Sequence, residues 1–596
     1  MPAVDARRIA VVDRDRCNPR KCGHECIKFC PRVRAGEEDT IRLEDGFLVI
    51  DEDLCVGCGI CVKKCPFSAL SIVNLPAPLE GEEIHRYGVN GFVLFRLPVV
   101  RMGSVVGLVG PNGIGKTTIM RILSGELVPN LGDPHAELDW DEVIRRFRGT
   151  EIQNYLERLA AGQVRVVHKP ERIDLLPRAF PGTLREALER ADERGVAREL
   201  AEELGLSDLM DRKLSELSGG ELQRVAVIAA SSKEADVYMF DEPCNYLDVF
   251  QRMRVASVIR GLAEAGKGVL VVEHDLAVLD YLSDYIHILY GVRGVFGVVS
   301  HPHGTREGIN IFLDGYLPDD NVRFREYSIS FGRRSTAERV ETLPLVSYSG
   351  LVKEYDSAFR LTVEPGELRA GEVVVAVGPN GIGKTTFVSM LAGVIEPTSG
   401  EVLAEDVKVA YKPQYVRPEQ DGTVYSLLKS MAGSQLSSSF FRAEVLHRLG
   451  VDGLMDRRLS ELSGGELQRV AVAATLGMDA DIYLLDEPSA FLDVEMRLAL
   501  AKAIKRRVEG EDKAAIVVEH DLITIEALAD RIILFTGEPG VEGHASSPMP
   551  VERGMNEFLR EVGITFRRDP RTGRPRVNKP GSRLDAEARA SGRYYV

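Results

Sequence analysis

The nine residues GPNGIGKTT occur twice in this chain, at Gly110–Thr118 and at Gly378–Thr386. Each copy follows an apolar, strand-like run (SVVGLV, EVVVAV) and opens a helix-like segment (IMRILSGEL, FVSMLAGVI). Strand, glycine-rich loop and helix in that order are the context a P-loop requires, and they commit the flanking chain to a parallel α/β layer. The glycines let backbone N–H groups turn inward around phosphates, so Asn112, Gly113, Gly115 and Thr118, with Asn380, Gly381, Gly383 and Thr386, form two candidate phosphate cradles. Lys116 and Lys384 would reach the β- and γ-phosphates, and the hydroxyls of Thr117 and Thr385 would ligate Mg²⁺.

The duplication continues beyond the loops. LSGGELQRVAV appears at Leu217–Val227 and Leu462–Val472, and apolar runs end in acidic pairs at Asp241-Glu242 and Asp486-Glu487. VVEHD then places His274 and His520. Signature serine to acidic pair is 23 residues in both copies (Ser218 to Asp241, Ser463 to Asp486), and acidic pair to histidine is 33 against 34. LSGG-x-Q after a P-loop resembles the signature of ABC ATPases. That resemblance implies that Ser218, Gly220, Ser463 and Gly465 each bind a γ-phosphate held by the opposite domain, at a helix N-terminus. Helix capping by the same two serines is compatible with this. Asp241 and Asp486 would bind Mg²⁺ through water, Glu242 and Glu487 would polarise the attacking water, and His274 and His520 would sense the γ-phosphate. The two domains would pack head to tail, joining Lys116 to Ser463 and Lys384 to Ser218.

Eight of the nine cysteines lie before residue 66. Cys55, Cys58, Cys61 and Cys65 follow C-x2-C-x2-C-x3-C and precede Pro66, the ferredoxin spacing for a [4Fe–4S] cluster. Cys17, Cys22, Cys26 and Cys30 are more loosely spaced and also end in Cys-Pro. Similarity to two-cluster ferredoxins implies that the fourth cysteine of each run serves the other run's cluster. One cluster would then use Cys30, Cys55, Cys58 and Cys61, the other Cys17, Cys22, Cys26 and Cys65. Zinc is the competing reading, while disulfides need an oxidising compartment and the charged N-terminus lacks a signal peptide's apolar stretch. Cys244 reads as a small buried residue.

The copies also differ. A Q-loop glutamine is expected to touch Mg²⁺; Gln414 supplies it in YKPQY, but HKPER places Glu171 there in the first copy, adding negative charge near the triphosphate and putting the equivalence of the two sites in question. The loops after the acidic pairs read CNYLD and SAFLD. Lys116 to Glu171 spans 55 residues but Lys384 to Gln414 only 30, so the first domain carries about 25 extra residues. They read as two short amphipathic helices broken at Gly149-Thr150, with Trp140, Arg145, Arg146 and Arg148 either facing water or contacting RNA phosphate. Aromatics before each P-loop, Tyr87 and Phe92, then Tyr355 and Phe359, are candidates to stack on adenine, with core packing as the alternative. Residues 301–345 read as a Gly-, Pro- and charge-rich hinge. From Arg567 to Arg593 nine basic residues face three acidic ones, which suits either RNA binding or bracing of the two domains through ion pairs.

With 596 residues, 44% hydrophobic and 28% charged, the chain must divide into several domains. No apolar run approaches the roughly 18–20 residues that span a bilayer, so a cytoplasmic protein without membrane contact is expected. A net charge of −15 argues against an all-over nucleic-acid-binding surface. The expected fold is α/β: two P-loop ABC-type nucleotide-binding domains packed head to tail, with an N-terminal ferredoxin-like two-cluster α+β domain. The expected boundaries are 1–75 (iron–sulfur), 76–300 (first ATPase, insert near 136–162), 301–345 (hinge), 346–536 (second ATPase) and 537–596 (C-terminal hinge and basic tail). This organisation resembles the ABC-E family of ribosome-recycling ATPases, also called RNase L inhibitor proteins, over essentially the whole chain. The resemblance implies two [4Fe–4S] clusters, ATP or ADP and Mg²⁺. It also implies splitting of post-termination or stalled ribosomes into subunits, and partnership with a release factor or a pelota-type factor. Contact with small-subunit rRNA through the insert and first hinge follows from it too, as does a monomer whose two ABC domains pair intramolecularly. An ATP-gated iron–sulfur electron-transfer protein is the alternative, as is an ATPase subunit of a membrane transporter.

Overall fold

A computed structural model describes residues 8–595, apart from 15, 45, 68, 75–78, 80, 330, 332–343, 356–358, 404–406 and 415–421. The N-terminal unit pairs strands Arg8–Val12 and Leu70–Asn74 antiparallel around a hairpin, Ile41–Glu44 with Phe47–Ile50. Its helices, Glu25–Lys28, Pro31–Arg34 and Ile60–Lys64, are single turns too short to persist alone. Their thiols share a core with Ala10, Val12, Ile41, Leu48, Ile50 and Leu70.

Each ATPase half builds the same nine-stranded sheet, eight strands in one path and a ninth (303–304, 549–550) paired beside 285–292 and 531–538. In the first, the order runs 83–86, 93–95, 296–299, 285–292, 105–109, 268–272, 237–241, 166–169; in the second, 351–355, 359–363, 542–545, 531–538, 373–377, 514–518, 482–486, 409–412. The last five strands of each order are parallel, and VVGLV and VVVAV are buried along their whole length, as helices on both faces demand. Each P-loop and its acidic pair therefore emerge at the carboxyl ends of parallel strands separated by one strand, 268–272 in the first half and 514–518 in the second, where such sheets bind ligands. On the strand Tyr285–Val292, His287 is buried, its Nδ1 2.7 Å from the Ser300 carbonyl and its Nε2 accepting the Val99 N–H at 3.2 Å.

The extra residues of the first domain form helices Trp140–Arg146 and Gln153–Ala160 that pack on each other. Asp139 caps the first in a reciprocal pair with Glu142, and Tyr155 donates to the Leu123 carbonyl, fixing the hairpin to the P-loop helix Lys116–Leu123. The segment read as a hinge from 301 is, up to 329, folded onto the first domain. Helix Thr305–Asp314 buries Ile309, Ile311, Phe312 and Leu313, and a small hairpin, Tyr316–Leu317 with Val322–Arg323, follows. Its glycines and prolines mark turns between packed elements rather than solvated chain; positions 332–343 lie outside the described residues.

The basic tail braces the two halves. Arg574 and Arg576 share the fully buried Asp280 of the first domain (3.3 and 2.8 Å), Arg306 bonds Asp569 at 2.9 Å, and Lys579 reaches Asp284 at 3.3 Å. Arg568 pairs with Glu526 of the second domain at 2.6 Å. Asn90, at φ 55°, ties the N-terminal unit to the first domain: Nδ2 donates to the carbonyls of Ala10 (3.1 Å) and Ile50 (2.9 Å), and Oδ1 accepts the Ile50 N–H (2.8 Å). Arg86 adds an ion pair with Glu52 at 2.5 Å.

Candidate functional site

At the first P-loop, Lys116 is buried on the helix it begins. Its Nζ donates to the Gly110 carbonyl (3.1 Å) and Asn112 Oδ1 (3.0 Å) and lies 2.6 Å from His274 Nε2. The same imidazole nitrogen stands 3.1 Å from Glu242 Oε1. At the second, Lys384 Nζ donates to the Gly378 and Pro379 carbonyls at 2.9 and 2.5 Å, and His520 Nε2 is 3.3 Å from Glu487 Oε1. Thr117 and Thr385 are open to solvent in the phosphate cradles. The turn glycines leave no room for a side chain: a Cβ on Gly115 would meet Phe92, and one on Gly383 would meet Phe359.

Burial pushes Glu242 upward, but His274, Lys116 and the Asn245 amide outweigh it and hold its carboxyl well below the usual range. Glu487 is likewise driven down to about 2 against its burial, by His520, Lys384 and Gln414. Their neighbours move the other way. Burial, with Glu242 and Glu171 nearby, raises Asp241 to about 7, and burial raises Asp486. Among the described residues neither of the buried carboxylate oxygens of Asp486 has a hydrogen-bond partner of ordinary geometry. Glu171 borders the first site, and crowding by protein together with the Glu242 charge raises its pKa.

Residues to which the sequence assigned no role complete each site. Lys169 Nζ donates to the Asp241 carbonyl (2.8 Å), as Lys412 does to that of Asp486 (2.9 Å). Gln223 and Gln468 of the signature helices donate to the carbonyls of Glu242 (2.6 Å) and Glu487 (2.8 Å). Burial lowers both lysines to about 8. Their only sequence signal was duplication, since each stands two residues before the Q-loop position.

The halves meet across these sites. Asp248 Oδ2 of the first domain accepts the N–H of Asn380 in the second P-loop at 2.8 Å. Asp493 of the second pairs with Arg293 of the first at 2.6 Å, beside the first P-loop. Tyr246 and Phe491 pack edge to face, 5.7 Å apart. A cavity of about 1140 Å³ brings Lys384, Thr385, Gln414, Glu487, His520 and Phe359 together with Ser218 and Gly220. At the centre, Arg252 bonds Asp275 (2.7 Å) and reaches the His520 carbonyl (3.4 Å), while Arg497 bonds Asp521 (2.8 Å). Ser218 and Ser463 cap their helices in reciprocal pairs with Glu221 and Glu466.

Of the candidate base-stacking aromatics, Phe359 lines the cavity and Phe92 covers Gly115. Tyr87 is exposed with its hydroxyl 3.2 Å from Thr118 Oγ1, and Tyr355 is exposed with Lys353 over its ring at 5.4 Å. In the insert, Arg145, Arg146 and Arg148 are exposed, while Trp140 packs partly against the core beneath.

All nine cysteines are free thiols, and Cys244 is buried. The other eight converge in two sets. Cys17, Cys22, Cys26 and Cys65 line one small cavity, and the charges acting on Cys61 come from Cys55, Cys58 and Cys30. Burial pushes Cys26 up to about 11 and Cys61 to about 12 as metal-free thiols. Among the described residues no three thiols, imidazoles or carboxylates close on a single ion. Four thiols spaced around a cavity suit a cluster in which each iron takes one thiolate.

Comparison with known proteins agrees with this layout. A family model described as ABC transporter matches residues 99–245 and 365–490. One described as a possible Fer4-like domain in RNase L inhibitor matches 7–38, and one described as a 4Fe-4S binding domain matches 48–71. An ABC transporter ATP-binding protein of Methanocaldococcus jannaschii is 51% identical over 99% of this chain and 98% of its own. Translation initiation factor RLI1 of Chaetomium thermophilum is 46% identical over 99% and 97%. A solved structure described as "Model of ribosome-bound archaeal Pelota and ABCE1" superposes with a TM-score of 0.93 at 58% identity, covering 99% of this chain and all of that one. No helix among the described residues is long and apolar enough to cross a membrane.

Proposed function

Because this chain belongs to the ABC-E, or RNase L inhibitor, family of ribosome-recycling ATPases, we propose that it splits post-termination or stalled ribosomes by closing twin ATP sites and moving its iron–sulfur domain. The observation that carries this is the similarity, over 99% of the chain, to a ribosome-bound relative solved with Pelota.

The first ATP lies between Lys116 and Ser463, the second between Lys384 and Ser218. Asn112, Gly113, Gly115 and Thr118, with Asn380, Gly381, Gly383 and Thr386, wrap the phosphates. The signature Ser218-Gly220 and Ser463-Gly465 present helix N-termini to the γ-phosphate. Glu242 and Glu487, ionised at neutral pH, accept the proton of the attacking water, and His274 and His520 hold them against the γ-phosphate. The buried, unpartnered carboxylate of Asp486 fits a divalent cation, so Thr117, Glu171 and Asp241 at one site and Thr385, Gln414 and Asp486 at the other would hold Mg²⁺, which neutralises phosphate charge. Phe92 and Phe359, with Tyr87 and Tyr355 further out, take the adenine side.

The two cysteine sets would hold two [4Fe–4S] clusters, which supply a rigid core to a domain of single-turn helices. Asn90 lies between Tyr87 and Phe92, so the contact that carries this domain sits in the segment nearest the base. Trp140, Arg145, Arg146 and Arg148 contact small-subunit rRNA, with a pelota-type or release factor as partner, in the cytoplasm. Sucrose-gradient sedimentation tests the whole. Ribosomes incubated with this protein, such a factor and ATP separate into subunits, and a non-hydrolysable analogue leaves the protein on the small subunit; ribosomes that stay intact in both would overturn the proposal.

A further inference from the structure

The two sites hold the glutamates of their acidic pairs with amides from different loops. In the second domain Gln414 Nε2 donates to Glu487 Oε1 at 2.9 Å. The matching position of the first domain is Glu171, a carboxyl in place of the amide, whose charge and that of Glu242 act against each other. There the amide comes from the loop after the acidic pair: Asn245 Nδ2 donates to Glu242 Oε2 at 2.5 Å. The second copy has Ala490 at that place, with no donor to offer. Each glutamate thus keeps one side-chain amide, and the copies exchange its source: Glu171 with Asn245, Gln414 with Ala490.

Two carboxylates side by side repel, and a glutamate left to that repulsion swings away from its working direction. The Asn245 amide pins Oε2 and leaves Oε1 facing His274 Nε2 at 3.1 Å. We propose that Asn245 is the positioning residue for Glu242 in the first site, in the part Gln414 takes at Glu487. This rests on the reading of Glu242 and Glu487 as the residues that polarise the attacking water. The exchange has a direction. Residues 244–248 also reach the other half, through Asp248 on the Asn380 N–H at 2.8 Å and Tyr246 on Phe491, so the first glutamate is held by a loop that touches the second P-loop. The second glutamate takes its amide from the Q-loop instead, although its own post-acidic loop also reaches the other half through Phe491 and Asp493.

Single-turnover hydrolysis isolates the first site in a Glu487→Gln background. There Asn245→Ala is expected to slow the burst about tenfold, and adding Glu171→Gln to restore it to within about threefold of the parent, since glutamine then donates as Gln414 does. In the mirror experiment, a Glu242→Gln background, Gln414→Ala slows the burst and Ala490→Asn restores it. Retention of ATP on filters confirms that each variant still binds, and rescue by a second substitution is beyond a merely misfolded loop. Asn245→Ala within about twofold of its parent, or a double variant no faster than the single, overturns the proposal. A Glu242→Gln/Glu487→Gln protein that still bursts at the wild-type rate would instead overturn the assignment of the glutamates.

Discussion

Glu242 and Glu487 stand at φ 46° and 45°, in the left-handed region that non-glycine residues seldom occupy. Such backbone persists only where the surroundings over-determine it, and here buried glutamines and lysines grip the adjoining carbonyls. Replacing both glutamates by glutamine keeps that grip and removes the proton acceptor. The double variant is expected to bind ATP and trap it, with turnover down at least about 100-fold in steady-state phosphate release. His287 gives a pH dependence. Burial above all lowers its pKa to about 4, helped by the nearby His303, Arg101 and His301, while its Nε2 already accepts the Val99 N–H. A base depressed on folding stabilises above its unfolded value of 6.5 and loses that contribution as pH falls toward 4. Melting of the first domain should drop across that window, and His287→Gln should flatten the drop. The glycine-rich loops and acidic pairs were legible because each appears twice in a fixed frame. Asn245 was not, because what it bonds depends on which loop a fold brings beside Glu242.

At the scale of elements, the insert's two helices were readable from periodicity and a glycine break, and both parallel sheets from their apolar runs. Residues 301–329 were misread as linker because turn-forming glycines and prolines look alike whether or not the helix between them is packed. The docking of the N-terminal unit was also hidden, since a lone Asn90 carries no periodic signal. It leaves two carbonyls and one N–H of that unit dependent on a single side chain. Asn90→Ala strands those groups and should weaken the contact by about 2–3 kcal/mol. Faster hydrogen exchange at the Ile50 amide, with resting ATP hydrolysis unchanged, would register the loss.

For the whole molecule, the head-to-tail pairing followed from the resemblance to ABC ATPases, whereas the tail's destination did not, because a basic segment can serve RNA or protein equally. The structure sends it back to the first domain, where Asp280 takes two buried arginines. Besides their contacts across the ATP sites, the two ATPase halves are therefore joined by the chain between them and again by this return. Cutting the polypeptide between 332 and 343 should leave both halves comigrating on a native gel, and Asp280→Ala should let the cut halves separate. The return also fixes a kinetic order. A half held at two points meets its partner at an effective concentration set by the joint, not by the cell. Re-closure after opening is then first order, and the protein works at the same rate whether it is scarce or abundant.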